Sequence, residues 1–494
     1  MQSQLGPMPS HLSEDFEQNM ILKSDSYKMA HFMMLPPNTH KMRSYVESRG
    51  GLFPNTIFFG PQMMLQKNFT RPISNSDIND AEYFANASGL PFNRSGWKRV
   101  VNKHGGYIPL EIKAVAEGSN VPILNSLLTV DSTDEELAWL TTYYEPMILR
   151  GCWYPSSVAT LSWTIKQLIK EYMEDTCDNL DDLNYKLHDF GSRGVSSGES
   201  AQYGGAAHLT QFWGSDNMEG AVAAMKYYNC DVPLRSVPAS EHSVTTIWGK
   251  ENEVRAYENM LRQFAKPGAK ISIVADSYDL FGMIRTMVGG SLKQQIIDSQ
   301  AVIIIRPDSG KPHEIVLETI NALMEVFGYT WNTKGYKVLP KYIRIIQGDG
   351  IEYSSINMIM KVLKAALISI DNIFFGMGGK LLQGVHRDTG EWADKVSEGL
   401  VDNQWIDVFK DPITDKCKKS KRGNQMLYRH LINRDRYITE RIAPEMMGVT
   451  PLSLNGPISS TGDWEPVLET IYLNGDMPRF QPFDQVRDNT GFYQ

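Results

Sequence analysis

Cysteine is scarce in this chain. Its 494 residues include Cys152, Cys177, Cys230 and Cys417, far apart and without a Cys-x-x-Cys pair. That spacing speaks against a disulfide framework and a thiolate zinc site, and a reducing, cytoplasmic setting is the simpler expectation. Long apolar runs are missing too. Ala301 to Ile305 falls well short of the roughly 20 residues that cross a bilayer, so no membrane partner is expected. The start, Met1 to Asn19, is polar and acidic and contains proline, lacking the basic and apolar regions of a secretory leader. An excess of positive charge is also absent. Lys and Arg number 49 against 57 Asp and Glu, a formal net charge of −8, which argues against a general nucleic-acid binder, since such proteins need cations to displace counterions from phosphates. The 10 histidines show no metal-ligand spacing, so no protein-built metal cage is expected. A divalent ion would be held largely by ligand phosphates, as magnesium usually is. No fixed-period repeat or low-complexity tract occurs, which removes solenoids and propellers.

What is present is ordinary globular composition, 42% hydrophobic and 21% charged, in a chain long enough for two or more lobes. From about residue 185 onward, short β-branched runs stop abruptly at polar turns and helical segments follow. Ile271 to Val274 precedes Ala275-Asp-Ser-Tyr-Asp279, and Val302 to Ile305 precedes Arg306-Pro-Asp-Ser-Gly310. Ile343 to Ile346 leads into Gln347-Gly-Asp-Gly350, and Ile373 to Phe375 into Gly376-Met-Gly-Gly379. Runs without polar alternation mean strands covered on both faces, as in a parallel sheet. Between them, Glu251 to Lys266 puts Val254, Tyr257, Leu261 and Phe264 on one helical face, and Ile356, Ile359, Val362, Leu363 and Ala366 form a second stripe. The rhythm predicts βα units in an α/β barrel over 179–392, with a discontinuous second domain from 1–178 and 393–494.

Barrel enzymes recruit side chains from several strand C-terminal ends. The loops holding Gly348 and Asp349, and Gly378 and Gly379, are glycine-rich turns in which bare backbone N–H groups can approach an anion. Neither matches a Walker loop or a dinucleotide fingerprint. Arg306 and Asp308 flank a stiffening proline and serve equally as an internal ion pair or a ligand-contacting pair. Asp349 reads as a turn cap or a ligand contact, and Arg387 as a surface ion pair or a phosphate contact. Phe190 and Arg193 stand three residues apart in Leu187-His-Asp-Phe-Gly-Ser-Arg193, where a flat heterocycle could stack beside a phosphate. Ser196-x-x-Glu199 reads as a helix capping box. His242, next to Glu241 in Pro238-Ala-Ser-Glu-His242, is a nucleophile or acid–base candidate. Lys410 to Arg422 is a basic loop that is either solvated or phosphate-contacting.

In this order, Asp25-Ser-Tyr-Lys28, Tyr185-Lys-Leu-His-Asp-Phe-Gly191, Arg193-Gly-Val-Ser-Ser197, Ser236-Val-Pro-Ala239 through His242, Asp276-Ser-Tyr-Asp279, Ile305-Arg-Pro-Asp-Ser-Gly310, Gln347-Gly-Asp-Gly350 and Val408-Phe-Lys-Asp-Pro412 closely resemble the nicotinamide phosphoribosyltransferase family. The resemblance implies a type II phosphoribosyltransferase fold, an α/β barrel beside a mainly β domain, working as a homodimer with shared sites. It implies a glycosyltransferase of NAD salvage that forms nicotinamide mononucleotide and pyrophosphate from nicotinamide and phosphoribosyl pyrophosphate. Nicotinamide would stack between Phe190 and the partner subunit's Tyr27, with Arg193, Asp216 and Ser236 in the base pocket. Arg306 and Asp308 would contact ribose, and Gly348, Asp349, Gly378, Gly379 and Arg387 the nucleotide. Lys28, Arg49, Lys395, Lys410 and Lys418 of the partner would take pyrophosphate or ATP phosphates. ATP, with Mg2+, would phosphorylate His242, oriented by Asp279 and Glu241. Nicotinate phosphoribosyltransferase on the same fold is the rival reading. Asp216 separates the two, because it can accept a carboxamide N–H but would repel a second carboxylate.

Overall fold

The computed structural model describes residues 13, 16–414, 419–442 and 462–493. Contacts divide the described residues into two compact units, one within Met1–Ser157, Tyr227–Asn229 and His386–Gly491, the other within Val158–Lys226, Cys230–Val385 and Phe492–Gln494. The boundary at 157/158 falls inside the 32-residue helix Glu145–Thr176. These units and the boundaries read from sequence, 178/179 and 392/393, therefore assign the rest of that helix and the turn at 386–392 differently.

The second unit is built on five parallel strands, β1 (Leu187–Asp189), β2 (Lys270–Val274), β3 (Val302–Arg306), β4 (Ile343–Gln347) and β5 (Ile373–Met377), in the order β1-β5-β4-β3-β2. The four β-branched runs read from sequence are β2 to β5, paired in register through Ile271↔Ile303, Ile343↔Ile303 and Ile345↔Ile373. The sheet does not stop at its edges. Parallel bridges Asp189↔Ser215, Gly214↔Arg235 and Ala239↔Ser272 carry the ladder from β1 through two short segments back to β2, so the strands close into a barrel with no free edge. Along each strand the side chains alternate. Ile304, Ile346 and Phe374 form one cluster with Tyr185, Phe190 and Val302, while Ile303, Ile305, Ile345, Ile373 and Phe375 are fully buried on the other face.

Helix Glu253–Phe264 precedes β2, and helices Pro312–Phe327 and Tyr353–Ala365 follow β3 and β4. Tyr257, Leu261, Ile356, Ile359 and Leu363 are buried as expected, but Phe264 is 44% exposed. It is the last residue of its helix, and Ala256 and Glu253 complete the buried face instead. Helix Gly198–Leu209 starts on Ser197, whose hydroxyl accepts from Ser200 N. The expected Ser196–Glu199 box is therefore displaced by one residue.

In the first unit, six strands form a sheet in the order Gln404–Asp407, Ala393–Val401, Thr39–Glu47, Leu128–Ser132, Leu110–Ala114, Glu469–Leu473, antiparallel throughout. Chain ends far apart in sequence meet there: Tyr45 pairs with Lys395 and Glu111 with Leu473. A second sheet joins Asn424–His430 to Tyr437–Ile442 and Trp464–Pro466. Among the described residues no helix is long and apolar enough to cross a membrane, and Cys152 and Cys177 are buried free thiols. Cys417 lies outside the described residues.

Candidate active site

Strands β1, β3, β4 and β5 deliver their last residues or following turns to one rim, where a cavity of about 790 Å³ opens. Phe190, Arg193, Asp216, Glu241, His242, Arg306, Asp308, Gly348, Asp349, Gly378 and Gly379 all line it, so most of the candidates read from the sequence converge. A second cavity of about 690 Å³ shares Phe190, Asp216 and Arg306 and takes in Ser236, His188 and the interior cluster.

Phe190 directly follows β1, and its N–H donates to Met377 O at 3.0 Å. Its ring occupies the space above Gly376: a Cβ there would lie 2.0 Å from the ring. Gly376 thus seats an aromatic wall. Gly348 also faces the ring, at 3.4 Å for an added Cβ. Opposite stands Asp216, whose Oδ1 accepts from Ser236 Oγ at 2.7 Å. Its backbone N–H donates to Asp189 O at 3.0 Å, tying it to β1.

The loops after β2 and β3 are joined by one carboxylate. Asp276 accepts from Ser309 Oγ at 2.5 Å and from the Asp308 N–H at 3.0 Å, and its Oδ1 lies 3.0 Å from His242 Nε2. Burial pushes its carboxyl up, but Ser309, His242 and the Asp308 amide together hold it below its ordinary value. Asp276 is thus the imidazole's partner, in the place expected for Asp279 and Glu241. Asp279 lies farther along the loop and caps the next turn, accepting from Gly282 N at 2.9 Å, and Glu241 accepts from Ser243 Oγ. Burial raises the Asp308 carboxyl while the Arg306 guanidinium, 3.7 Å away, opposes it. Arg306 Nε is buried and has no hydrogen-bond partner.

The turn after β1 and the glycine loop after β5 approach each other backbone to backbone. A Cβ on Gly194 would sit 2.7 Å from Gly379 Cα, whereas one on Gly378 would meet nothing within 4 Å. Gly350, at φ +65°, needs the left-handed backbone that glycine adopts without strain.

The remaining candidates lie in the first unit. Lys28 pairs with Glu145 at 2.7 Å and Arg49 with Glu47 at 2.8 Å. Burial lowers the ammonium pKa of Lys395, Glu145 and Asp394 raise it, and Arg49 and Lys410 lower it further. Lys28, Arg49, Lys395 and Lys410 therefore form one cluster partly balanced by acids. Tyr27 is 56% exposed, with the Lys28 ammonium 5.4 Å from its ring centroid. Arg387 bonds its neighbour Asp388 at 3.2 Å. Lys418 lies outside the described residues.

The nicotinate phosphoribosyltransferase (NAPRTase) family matches residues 185–442, and the nicotinamide phosphoribosyltransferase N-terminal domain matches residues 19–112. A nicotinamide phosphoribosyltransferase of Xanthomonas campestris pv. campestris (strain 8004) is 45% identical over 470 residues, covering 95% of this chain and 97% of that protein. A second, from Mycoplasma pneumoniae, is 32% identical over 435 residues, covering 81% and 94%. The fold is shared with the nicotinate-nucleotide pyrophosphorylase of Pyrococcus furiosus (TM-score 0.60, 15% identity, 99% of this chain and 100% of that one). It is also shared with human nicotinic acid phosphoribosyltransferase (TM-score 0.56, 13% identity, 95% and 92%). Kinship at 45% identity over nearly its whole length makes the chain a member of the nicotinamide phosphoribosyltransferase family, and so a pentosyltransferase of the type II phosphoribosyltransferase fold.

Proposed function

We propose that the protein joins nicotinamide to phosphoribosyl pyrophosphate, releasing pyrophosphate and nicotinamide mononucleotide for NAD salvage. The observation that carries this reading is Asp216 beside Phe190 in one cavity with Arg306 and Asp308. A flat pyridine stacks on the phenyl ring, and its carboxamide N–H donates to Asp216, of which Ser236 occupies only Oδ1. Nicotinate would bring a carboxylate against a carboxylate, which costs several kcal/mol in a desolvated slot.

The pyridine nitrogen attacks the anomeric carbon as the bond to the pyrophosphate oxygen breaks. Positive charge then develops on ribose and negative charge on the leaving group, so fixed charges on both sides lower the barrier. Asp308 meets the ribose side while Arg306 orients hydroxyls. Gly348, Asp349, Gly378 and Gly379 receive the 5′-phosphate, with Arg387. Tyr27 of the partner subunit closes the stack. Lys28, Arg49, Lys395, Lys410 and Lys418 of the partner subunit hold pyrophosphate or the phosphates of ATP. Among the described residues no group of three or more His, Cys, Asp or Glu could hold a metal ion, and Asp276 already accepts three hydrogen bonds. Magnesium therefore travels with the diphosphate.

ATP enters as co-substrate. Asp276 accepts the Nε2–H of His242, which leaves the lone pair on Nδ1. Nδ1 attacks the γ-phosphorus, ADP departs, and the phosphohistidine favours synthesis. The wide spacing of the four cysteines, without a Cys-x-x-Cys pair, supports a cytoplasmic setting.

The test is a substrate panel of phosphoribosyl pyrophosphate, magnesium and either pyridine, with and without ATP. Nicotinamide should be turned over in preference to nicotinate. Asp216→Asn should shift the nicotinamide-to-nicotinate ratio of kcat/KM toward nicotinate by about 10- to 100-fold. An unchanged ratio overturns the assignment.

A further inference from the structure

Beneath the base slot lies a buried pair, Asp189 at the floor of the rim cavity and Asn217 behind it, that holds the residues flanking Phe190 and Asp216. Asp189 is fully buried and Asn217 is 1% exposed. Asp189 Oδ1 accepts from Gly191 N at 2.7 Å, bending the chain immediately after Phe190. Its Oδ2 accepts from Asn217 Nδ2 at 3.0 Å, immediately after Asp216. The Asn217 amide is saturated: Nδ2 also donates to Ala201 O at 3.0 Å, and Oδ1 accepts from Gly220 N at 3.1 Å. Space for it is reserved, since a Cβ on Gly205 would sit 2.4 Å from Nδ2. One carboxylate thus grips the neighbour of the stacking ring and the neighbour of the amide acceptor.

Resting on the base-slot reading given above, we infer that Asp189 and Asn217 are positioning residues that set the register between Phe190 and Asp216, and so the affinity for the pyridine substrate. Burial pushes the Asp189 carboxyl up to about 6, against the Gly191 and Asn217 hydrogen bonds. A costly buried acid beside a ligand cavity fits a functional device better than a filler. Small errors in such a shell loosen a site even when its contact residues are intact.

The experiment compares Asp189→Asn, Asn217→Ser and the exchange Asp189→Asn with Asn217→Asp. Asn217→Ser keeps a good helix cap but is too short to reach Asp189. Asp189→Asn sets amide against amide. The exchange restores one amide facing one carboxylate, at the cost of the bond to Ala201 O, where a carboxylate oxygen at position 217 then faces the carbonyl. The parent is first run with both pyridines, and KM is then followed for the base it uses. Each single variant should raise KM for the base about tenfold or more while KM for phosphoribosyl pyrophosphate stays within about twofold, as expected when contacts to one substrate alone are loosened. The exchange should recover at least half of that loss on a logarithmic scale, the coupling a double-mutant cycle isolates. Unchanged base KM in a folded Asn217→Ser protein, or equal rises in both KM values without recovery in the exchange, would overturn the inference. Failure of the parent to use nicotinamide would overturn the functional reading instead, and leaves this test running on the other base.

Discussion

Asp276 gathers three donors from two loops, and a single residue of this kind decides what the neighbouring imidazole can do. With His242 Nε2 3.0 Å from Asp276 Oδ1, an Nε2–H donated there leaves the Nδ1 lone pair for the proposed phosphoryl transfer. His242→Ala should abolish stimulation of nicotinamide mononucleotide synthesis by ATP while leaving slow ATP-independent synthesis. Asp276→Asn should cut that stimulation about tenfold or more, because a neutral amide holds the imidazole less firmly. Product formation with and without ATP, beside acid-labile phosphate on the protein, reads both out. Equal stimulation in parent and His242→Ala would refute the phosphohistidine role. Residue types at this site were legible in the sequence, but the pairing was not. Asp276 and Asp279 share one four-residue motif, and only the path of the loop after β2 puts the first against His242 and turns the second into a cap.

At the scale of elements, the barrel strands announced themselves because a strand buried on both faces must be apolar at every position. The two segments that close the ring, around Gly214–Ser215 and Arg235–Ala239, carry polar residues and single bridges. No periodicity marks them. Strand β5 shows the same division. Its apolar run was readable, whereas Gly376 resembled an anion loop and proves to be the seat of the Phe190 ring. Gly376→Ala should therefore push that ring aside. It should raise KM for nicotinamide several-fold and cost about 1–3 kcal/mol of stability, the usual range for overpacking a filled site. Denaturant unfolding and steady-state kinetics check it, and a variant equal to the parent in both would remove Gly376 from the base slot.

For the whole molecule, the first unit stores a charge whose cost depends on pH. Burial and the nearby Glu145 push the Asp394 carboxyl from its ordinary 3.8 up to about 7. A raised carboxyl pKa stabilises the fold while protonated. Its contribution is complete below 3.8 and is lost as pH climbs through about 7. Asp394→Asn removes the ionisation, so it should melt higher than the parent at pH 8.5, by roughly 2–4 °C for each kcal/mol relieved. The gap should narrow as pH falls toward 5. Melting curves across that range test it, and a gap that widens on acidification would reverse the sign of the argument.

The barrel, the clustering of polar turns at one rim and the family kinship could be read from the order of residues, because burial pattern and contiguous motifs are local properties of the chain. Which carboxylate holds His242, the reach of Asp189 to Asn217 across 28 residues, and the room Gly376 makes for an aromatic ring came from the folded form alone. Those outcomes depend on where distant backbones cross within a few tenths of an ångström, and no local pattern of residue types carries that information.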